Sequence, residues 1–196
     1  MSLIQKTVRQ LDAAQKKKTA SELLLIFGMA AMFMLFLPLI VKLAKASPQG
    51  ETIPAEFGLS TMLLLANTWL FSKARKLRQR DMPLALGKVL LLMLLGSAAF
   101  SVLQYFGWSK IFHGSLFGQM RIMAILVMYH GLHLLAGMIA LAGIWIKIRR
   151  LRSGADCYIH FLQPSRAIFF RLTATYWDFL AFLWVLIYVI SLVRYL

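Results

Sequence analysis

The chain is poor in the residues that build most active centres. It has one cysteine, Cys157, in 196 residues. No internal disulfide can form, and no cysteine-based metal centre can be assembled. Cys157 lies in a polar loop and reads as an inert thiol. Acidic residues number 7 against 22 Lys and Arg. Asp178 is the only carboxylate inside an apolar segment. Histidines number four, His113, His130, His133 and His160, and only His130 and His133 lie in apolar sequence. Of the five prolines, only Pro38 falls within an apolar run. No internal repeat and no low-complexity tract is present.

What is abundant is apolar sequence, 60% of the chain. That composition belongs to an integral membrane protein rather than to a soluble core. The fold class expected is all-α, a polytopic membrane helix bundle forming one domain over residues 1–196. Five transmembrane helices are expected at about 23–41, 55–75, 84–106, 122–146 and 172–193. A basic amphipathic lead-in covers 1–21, with Leu3, Ile4, Val8 and Leu11 able to share a face. The first apolar run is 19 residues and contains Pro38. That is long for the apolar region of a cleaved signal peptide, so it reads as a retained span. Pro48, Gly50 and Pro54 punctuate the first connection, and Gly114 and Gly118 the third. Residues 151–167 are expected to lie along the membrane interface.

The net charge of +15 would suggest nucleic acid in a soluble protein. Its distribution suggests topology instead, with no nucleic acid partner. Lys6, Arg9, Lys16, Lys17 and Lys18 precede the first span. Lys73, Arg75, Lys76, Arg78, Arg80 and Lys88 separate the second and third, and Lys147, Arg149, Arg150, Arg152, Arg166 and Arg171 the fourth and fifth. The alternate sides hold only Lys42, Lys45, Lys110, Arg121 and Arg194. The positive-inside rule then puts the amino terminus in the cytoplasm and the carboxyl terminus outside. Attraction to anionic headgroups accounts for the basic loops.

The most informative stretch is Tyr129-His130-Gly131-Leu132-His133 within the fourth span. Imidazoles in a bilayer are costly and need partners or a purpose. A b-type cytochrome would need facing histidines from different helices, whereas these two are three apart on one helix. A copper or zinc site would need more ligands than the segment offers. Asp178 lies about 9 Å from the inner end of its helix and His133 about 20 Å from the inner end of its own, which argues against their meeting. A transporter would favour broken helices and paired repeats. Structural hydrogen bonds across helices are the plainest role for the pair. Gly96, Ser97, Ala98 and Ala99, and Gly137, Ala140 and Gly143, read as close helix-packing positions. By depth, Lys88 and Asn67, each about 6 Å in, lie near Asp178. Lys88 is the partner expected for Asp178, with Arg171 next.

The chain resembles subunit III of the haem-copper respiratory oxidases, in its short five-helix bacterial form. The family's H-G-x-H followed by glycine reads His130, Gly131, His133 and Gly137. Its last-helix Y-W-H-F-V-D-x-x-W signature reads Tyr176-Trp177-Asp178-Phe179-Leu180-Ala181-Phe182-Leu183-Trp184. Gly96, Phe100 and Gln104, followed by Trp108, match the third helix, and Ser60-Thr61 and Asn67-Thr68 match two polar pairs in the second. There are departures. Asp178 stands for the signature's histidine and Ala181 for its aspartate. Met32 stands where the family has a membrane-embedded glutamate, and Gly107 where it has an acidic residue. These departures bear on the proton-related role ascribed to the family's carboxylate, whereas lipid and assembly roles carry over better, because they need shape more than titration.

The resemblance implies a non-catalytic core subunit of an aerobic terminal oxidase in the bacterial inner (cytoplasmic) membrane. Cytochrome c oxidase is the first expectation and a quinol oxidase the alternative. A membrane transporter or a b-type cytochrome subunit are the readings from other classes. The implied partners are oxidase subunits I and II, with room for a respiratory supercomplex. Haem and copper are expected only in those partners, and phospholipid is the ligand expected here. The residues implied as structural or lipid-cleft positions are Asn67, Lys88, Gln104, His130, Gly131, His133, Gly137, Tyr176, Trp177, Asp178 and Trp184.

Overall fold

The computed structural model describes residues 3–45, 53–113 and 121–195. Six helices follow in order: α1 (Leu3–Lys45), α2 (Ala55–Gln79), α3 (Pro83–His113), α4 (Arg121–Ile148), α5 (Gly154–Leu162) and α6 (Pro164–Tyr195). No strand occurs among the described residues. The turns expected around Pro48 and Gly50, and around Gly114 and Gly118, lie outside the described residues, as do the side chains expected to form the amphipathic face of the lead-in.

Thr19–Lys45, Pro83–Phe112, Arg121–Ile148 and Pro164–Arg194 are each long and apolar enough to cross a membrane. Large apolar side chains cover their outer faces: Leu24 is 76% exposed and Val193 73%. A surface of that kind requires a lipid solvent. The chain is a multi-pass membrane protein on this ground. α2 is also embedded in the bundle, burying Phe57, Ser60, Thr61, Leu64, Asn67, Phe71 and Ala74. Its last turns carry Lys73, Arg75, Lys76 and Arg78, which shorten its apolar stretch.

α2 and α3 form a tight hairpin, α3 continues onto α4, and α6 fills the angle between α2, α4 and α1. The hairpin turns at Asp81, whose φ of 50° is a left-handed conformation that Asp tolerates better than most residues. α1 is the outermost helix. Only 17% of its spanning window is buried, against 39% in each of the other three. It holds on through Met32, Phe36, Ile40 and Leu43, spaced for one helical face.

The structure extends the expected elements. The lead-in and the first span are one helix of 43 residues with Pro38 inside it. The last helix begins at Pro164 rather than 172, as suits a proline at a first helical position. The interfacial segment contains a separate helix, α5. Ser153 caps it: its Oγ accepts from the Asp156 backbone N–H at 3.1 Å while Asp156 accepts from the Ser153 N–H at 3.1 Å. Ser153-Gly154-Ala155-Asp156 is a local capping pattern that the sequence displayed. The Ser153 hydroxyl first, then the backbone N–H groups of Ser153 and Arg152, hold the Asp156 carboxyl below its ordinary range. A Cβ on Gly154 would come 2.9 Å from the Asp81 carbonyl oxygen, so α5 can sit on the α2–α3 turn only with glycine there. Arg78 lies over the rings of Phe161 and Phe170, at 5.3 and 5.0 Å, and fastens α5 and α6 to α2. Cys157, expected in a loop, lies within α5 on its buried side. Burial, helped by the charge of Asp81, pushes its thiol pKa up, in keeping with an inert thiol.

Candidate functional site: a polar seam and a cleft

A hydrogen-bonded seam crosses the middle of the bundle. Gln104 Nε2 donates to Ser60 Oγ at 2.8 Å, and Ser60 Oγ donates to the Phe57 carbonyl at 3.0 Å. Thr61 Oγ1 donates to the same carbonyl at 2.7 Å and accepts from Trp184 Nε1 at 2.9 Å. Side-chain hydroxyls that bond back to their own helix leave an acceptor for a neighbour, which is how Ser60 and Thr61 of α2 receive Gln104 of α3 and Trp184 of α6. One layer further along α2, Asn67 Nδ2 donates to Ser97 Oγ at 3.1 Å and reaches the Met93 carbonyl at 3.4 Å. A Cβ on Gly96 would fall 2.6 Å from Asn67 Oδ1. The glycine is what lets Asn67 enter.

His130 and His133 enter different surroundings. They diverge by roughly 60° round α4. His130 is 1% exposed and boxed by aromatic rings, Trp184 at 5.3 Å and Phe100 at 6.0 Å between centroids. Neither of its nitrogens has a hydrogen-bond partner in the protein. His133 turns towards α1. Its Nδ1 lies 2.7 Å from the Tyr129 carbonyl, so Nδ1 carries the proton, and its ring stands edge-on to Phe36 at 5.8 Å. Tyr176 Oη donates to the His133 carbonyl at 3.0 Å. Among the described residues no three His, Cys, Asp or Glu side chains come together.

The glycines of the motif divide. A Cβ on Gly137 would lie 3.1 Å from Trp177 Cζ3 and 3.3 Å from Tyr176, so this position admits α6 against α4. Gly131 and Gly143 face open space, with nothing within 4 Å of an added Cβ. Helix packing therefore explains Gly96 and Gly137 but not the other two.

Asp178 requires a correction. It pairs with Arg75 of α2, which also reaches the Ala174 carbonyl at 3.4 Å. Lys88, the partner expected from depth, is exposed and makes no such contact, and it does not line the cleft described below. Arg171, the second choice, pairs with Glu22 of α1. Depth along a helix says nothing of direction around it, and Asp178 faces α2. The pair is also less buried than expected, with side chains 40% and 44% exposed. Arg75 lies in the last turns of α2 and Glu22 near the start of the Thr19–Lys45 span within α1, both at the edge of the apolar layer, where a long charged side chain can swing to a neighbour.

A cleft of about 540 Å³ opens between α1, α4 and α6, lined by Leu25, Met29, Met32, His133, Ala140 and Tyr176. Phe169 lines this cleft and also a smaller cavity of about 200 Å³ that holds Lys147, His160, Ser165 and Arg166. His160 Nδ1 accepts from Arg166 at 2.7 Å. Burial first, then the charges of Arg166 and Lys147, push His160 below its ordinary pKa of 6.5.

The unfolded segment thus binds a proton more readily than the folded one. α5 docking is at full strength above about pH 6.5 and weakens as pH falls below it. Amide hydrogen exchange across 156–162, corrected for its intrinsic pH dependence, should show protection falling between about pH 7 and about pH 5. His160→Gln should flatten that dependence. Unchanged protection in the native chain would mean that His160 does not hold α5.

No protein-family model matches the chain, and no curated protein matches it in sequence.

Proposed function

We propose that this chain is a non-catalytic core subunit of an aerobic terminal oxidase of the subunit III kind, in a bacterial inner membrane. It would span five times, with the amino terminus cytoplasmic and the carboxyl terminus outside, α2 supplying the span between α1 and α3. The observation that carries the reading is the seam. Thr61, Gln104, His130 and Trp184, drawn from four helices, belong to the motifs of the resemblance and meet in one hydrogen-bonded and aromatic cluster. A shared motif whose members interlock specifies a fold, so the resemblance rests on shape.

In this reading the subunit packs on the haem-bearing subunit I alongside subunit II and sustains oxygen delivery and proton uptake there. The redox groups stay in those partners in this reading, because His130 and His133 lie three apart on one helix and cannot bracket one iron. Phospholipid is the ligand of the α1–α4–α6 cleft. Acyl chains suit its apolar walls, and the cations of Lys147 and Arg166 suit a phosphate in the adjoining cavity. The transporter reading gains nothing from the helices, which run unbroken through the described spans.

The chain should be isolated in mild detergent and its companions identified by mass spectrometry. A large His-rich membrane subunit and a cupredoxin-type subunit are expected. The separated chain should give no pyridine haemochrome signal and no stoichiometric copper. Haem or copper on the separated chain, or purification without those companions, overturns the reading.

A further inference from the structure

We propose that the cavity beside Lys147 and Arg166 selects an anionic, amine-free phospholipid headgroup, with the phosphate held by those two cations and the acyl chains passing Phe169 into the α1–α4–α6 cleft. The inference rests on the phospholipid reading of the cleft and not on the oxidase assignment. The cavity, of about 200 Å³, lies where the end of α4, the end of α5 and the first turns of α6 meet. Its polar lining is Lys147, His160, Ser165 and Arg166, with no carboxylate among them. Neither Lys147 nor Arg166 takes part in an ion pair among the described residues. The hydrogen bond from Arg166 occupies His160 Nδ1, so the ring proton sits on Nε2. The site thus presents two positive charges and several donors, and the Ser165 hydroxyl is the one side-chain acceptor left.

That donor set determines the headgroup. Water can fill such a space, but it brings no negative charge to set against two cations. A phosphate does, and Arg and Lys side chains are its usual ligands. An ethanolamine or choline headgroup carries a phosphate too. Its ammonium, however, would need a carboxylate, and here it would face Lys147 and Arg166 instead. Both cations are exposed, as groups that meet the headgroup layer must be. Lys147 stands in the last turn of α4, at the edge of the Arg121–Ile148 span. Phe169 lines both the cavity and the cleft of about 540 Å³, whose walls include Leu25, Met29 and Met32. Charge at one end and apolar room at the other describe a lipid rather than a free anion.

The test is native mass spectrometry of the full chain in mild detergent. The chain is titrated with phosphatidylglycerol, with phosphatidylethanolamine of the same acyl chains, and with inorganic phosphate. Phosphatidylglycerol should bind about tenfold more tightly than phosphatidylethanolamine, as a net negative charge set against two interfacial cations implies. Lys147→Gln combined with Arg166→Gln should bring the two lipids to the same level. Arg149→Gln combined with Arg150→Gln removes the same charge outside the cavity and should leave the preference in place. Equal binding of the two lipids to the native chain overturns the headgroup selection and leaves the phospholipid reading of the cleft standing, whereas binding of neither overturns both. A preference lost equally in the Arg149 and Arg150 variant belongs to the basic loop at large and overturns the site. Displacement of phosphatidylglycerol by inorganic phosphate at comparable concentration overturns the lipid assignment in favour of a free anion. Should the paired cavity variant fail to fold, Lys147→Gln alone leaves the Arg166–His160 bond intact and should narrow the preference, and an unchanged ratio overturns the proposal.

Discussion

Trp184→Ala is expected to lower the stability of the bundle by about 2–3 kcal/mol, the largest loss from any single truncation in the seam. Trp184 is fully buried and stands against Phe57 at 5.8 Å, Phe100 at 5.7 Å and His130 at 5.3 Å. In a soluble core the cost would be about 3–5 kcal/mol. Part of that figure is transfer from water, and a helix separated from its neighbours within a bilayer keeps its tryptophan among apolar groups. What remains is the cavity and the lost dispersion contacts. Trp184→Phe separates shape from hydrogen bonding. It keeps most of the ring contact and gives up the bond to Thr61, for an expected cost of about 1 kcal/mol. Reversible unfolding in mixed micelles, with helix separation as the readout, measures both variants. Equal losses for the two would place the stabilisation in the indole N–H and not in packing.

The second large effect concerns Asp178. Removing one partner of its pair with Arg75 leaves the other as an uncompensated charge near the edge of the apolar layer. Arg75→Met and Asp178→Asn should each be destabilising, and the double variant should lose less than the sum. The coupling should be about 1–2 kcal/mol, between the values typical of exposed and of buried pairs, because both side chains are close to half exposed. Lys88→Met in place of Arg75→Met serves as the control and should show no coupling with Asp178→Asn. Coupling to Lys88, or additivity with Arg75, would mean that the α2–α6 contact is not maintained in the membrane.

The sequence alone determined the properties that belong to single segments. Length, apolarity and the scarcity of charge identify the helices around residues 23–41, 84–106, 122–146 and 172–193, because a bilayer imposes those requirements on each helix separately. The motif positions were legible for a related reason. Thr61, Gln104 and Trp184 are polar groups in apolar runs, and such groups must meet one another. α5 was open to detection through Ser153 and Asp156, a signal confined to four residues. Only the tertiary structure decided the choice among partners. Asp178 meets Arg75, 103 positions away, and not Lys88, although all three lie near one end of the bundle. Glu22 meets Arg171, and His130 and His133 part company although they are three residues apart. Each of those outcomes depends on the direction a side chain takes around its helix and on which helix lies there. Depth and periodicity describe a helix along its own axis, and the arrangement of helices around one another arises only when side chains such as Trp177, admitted by Gly137, settle into close contact.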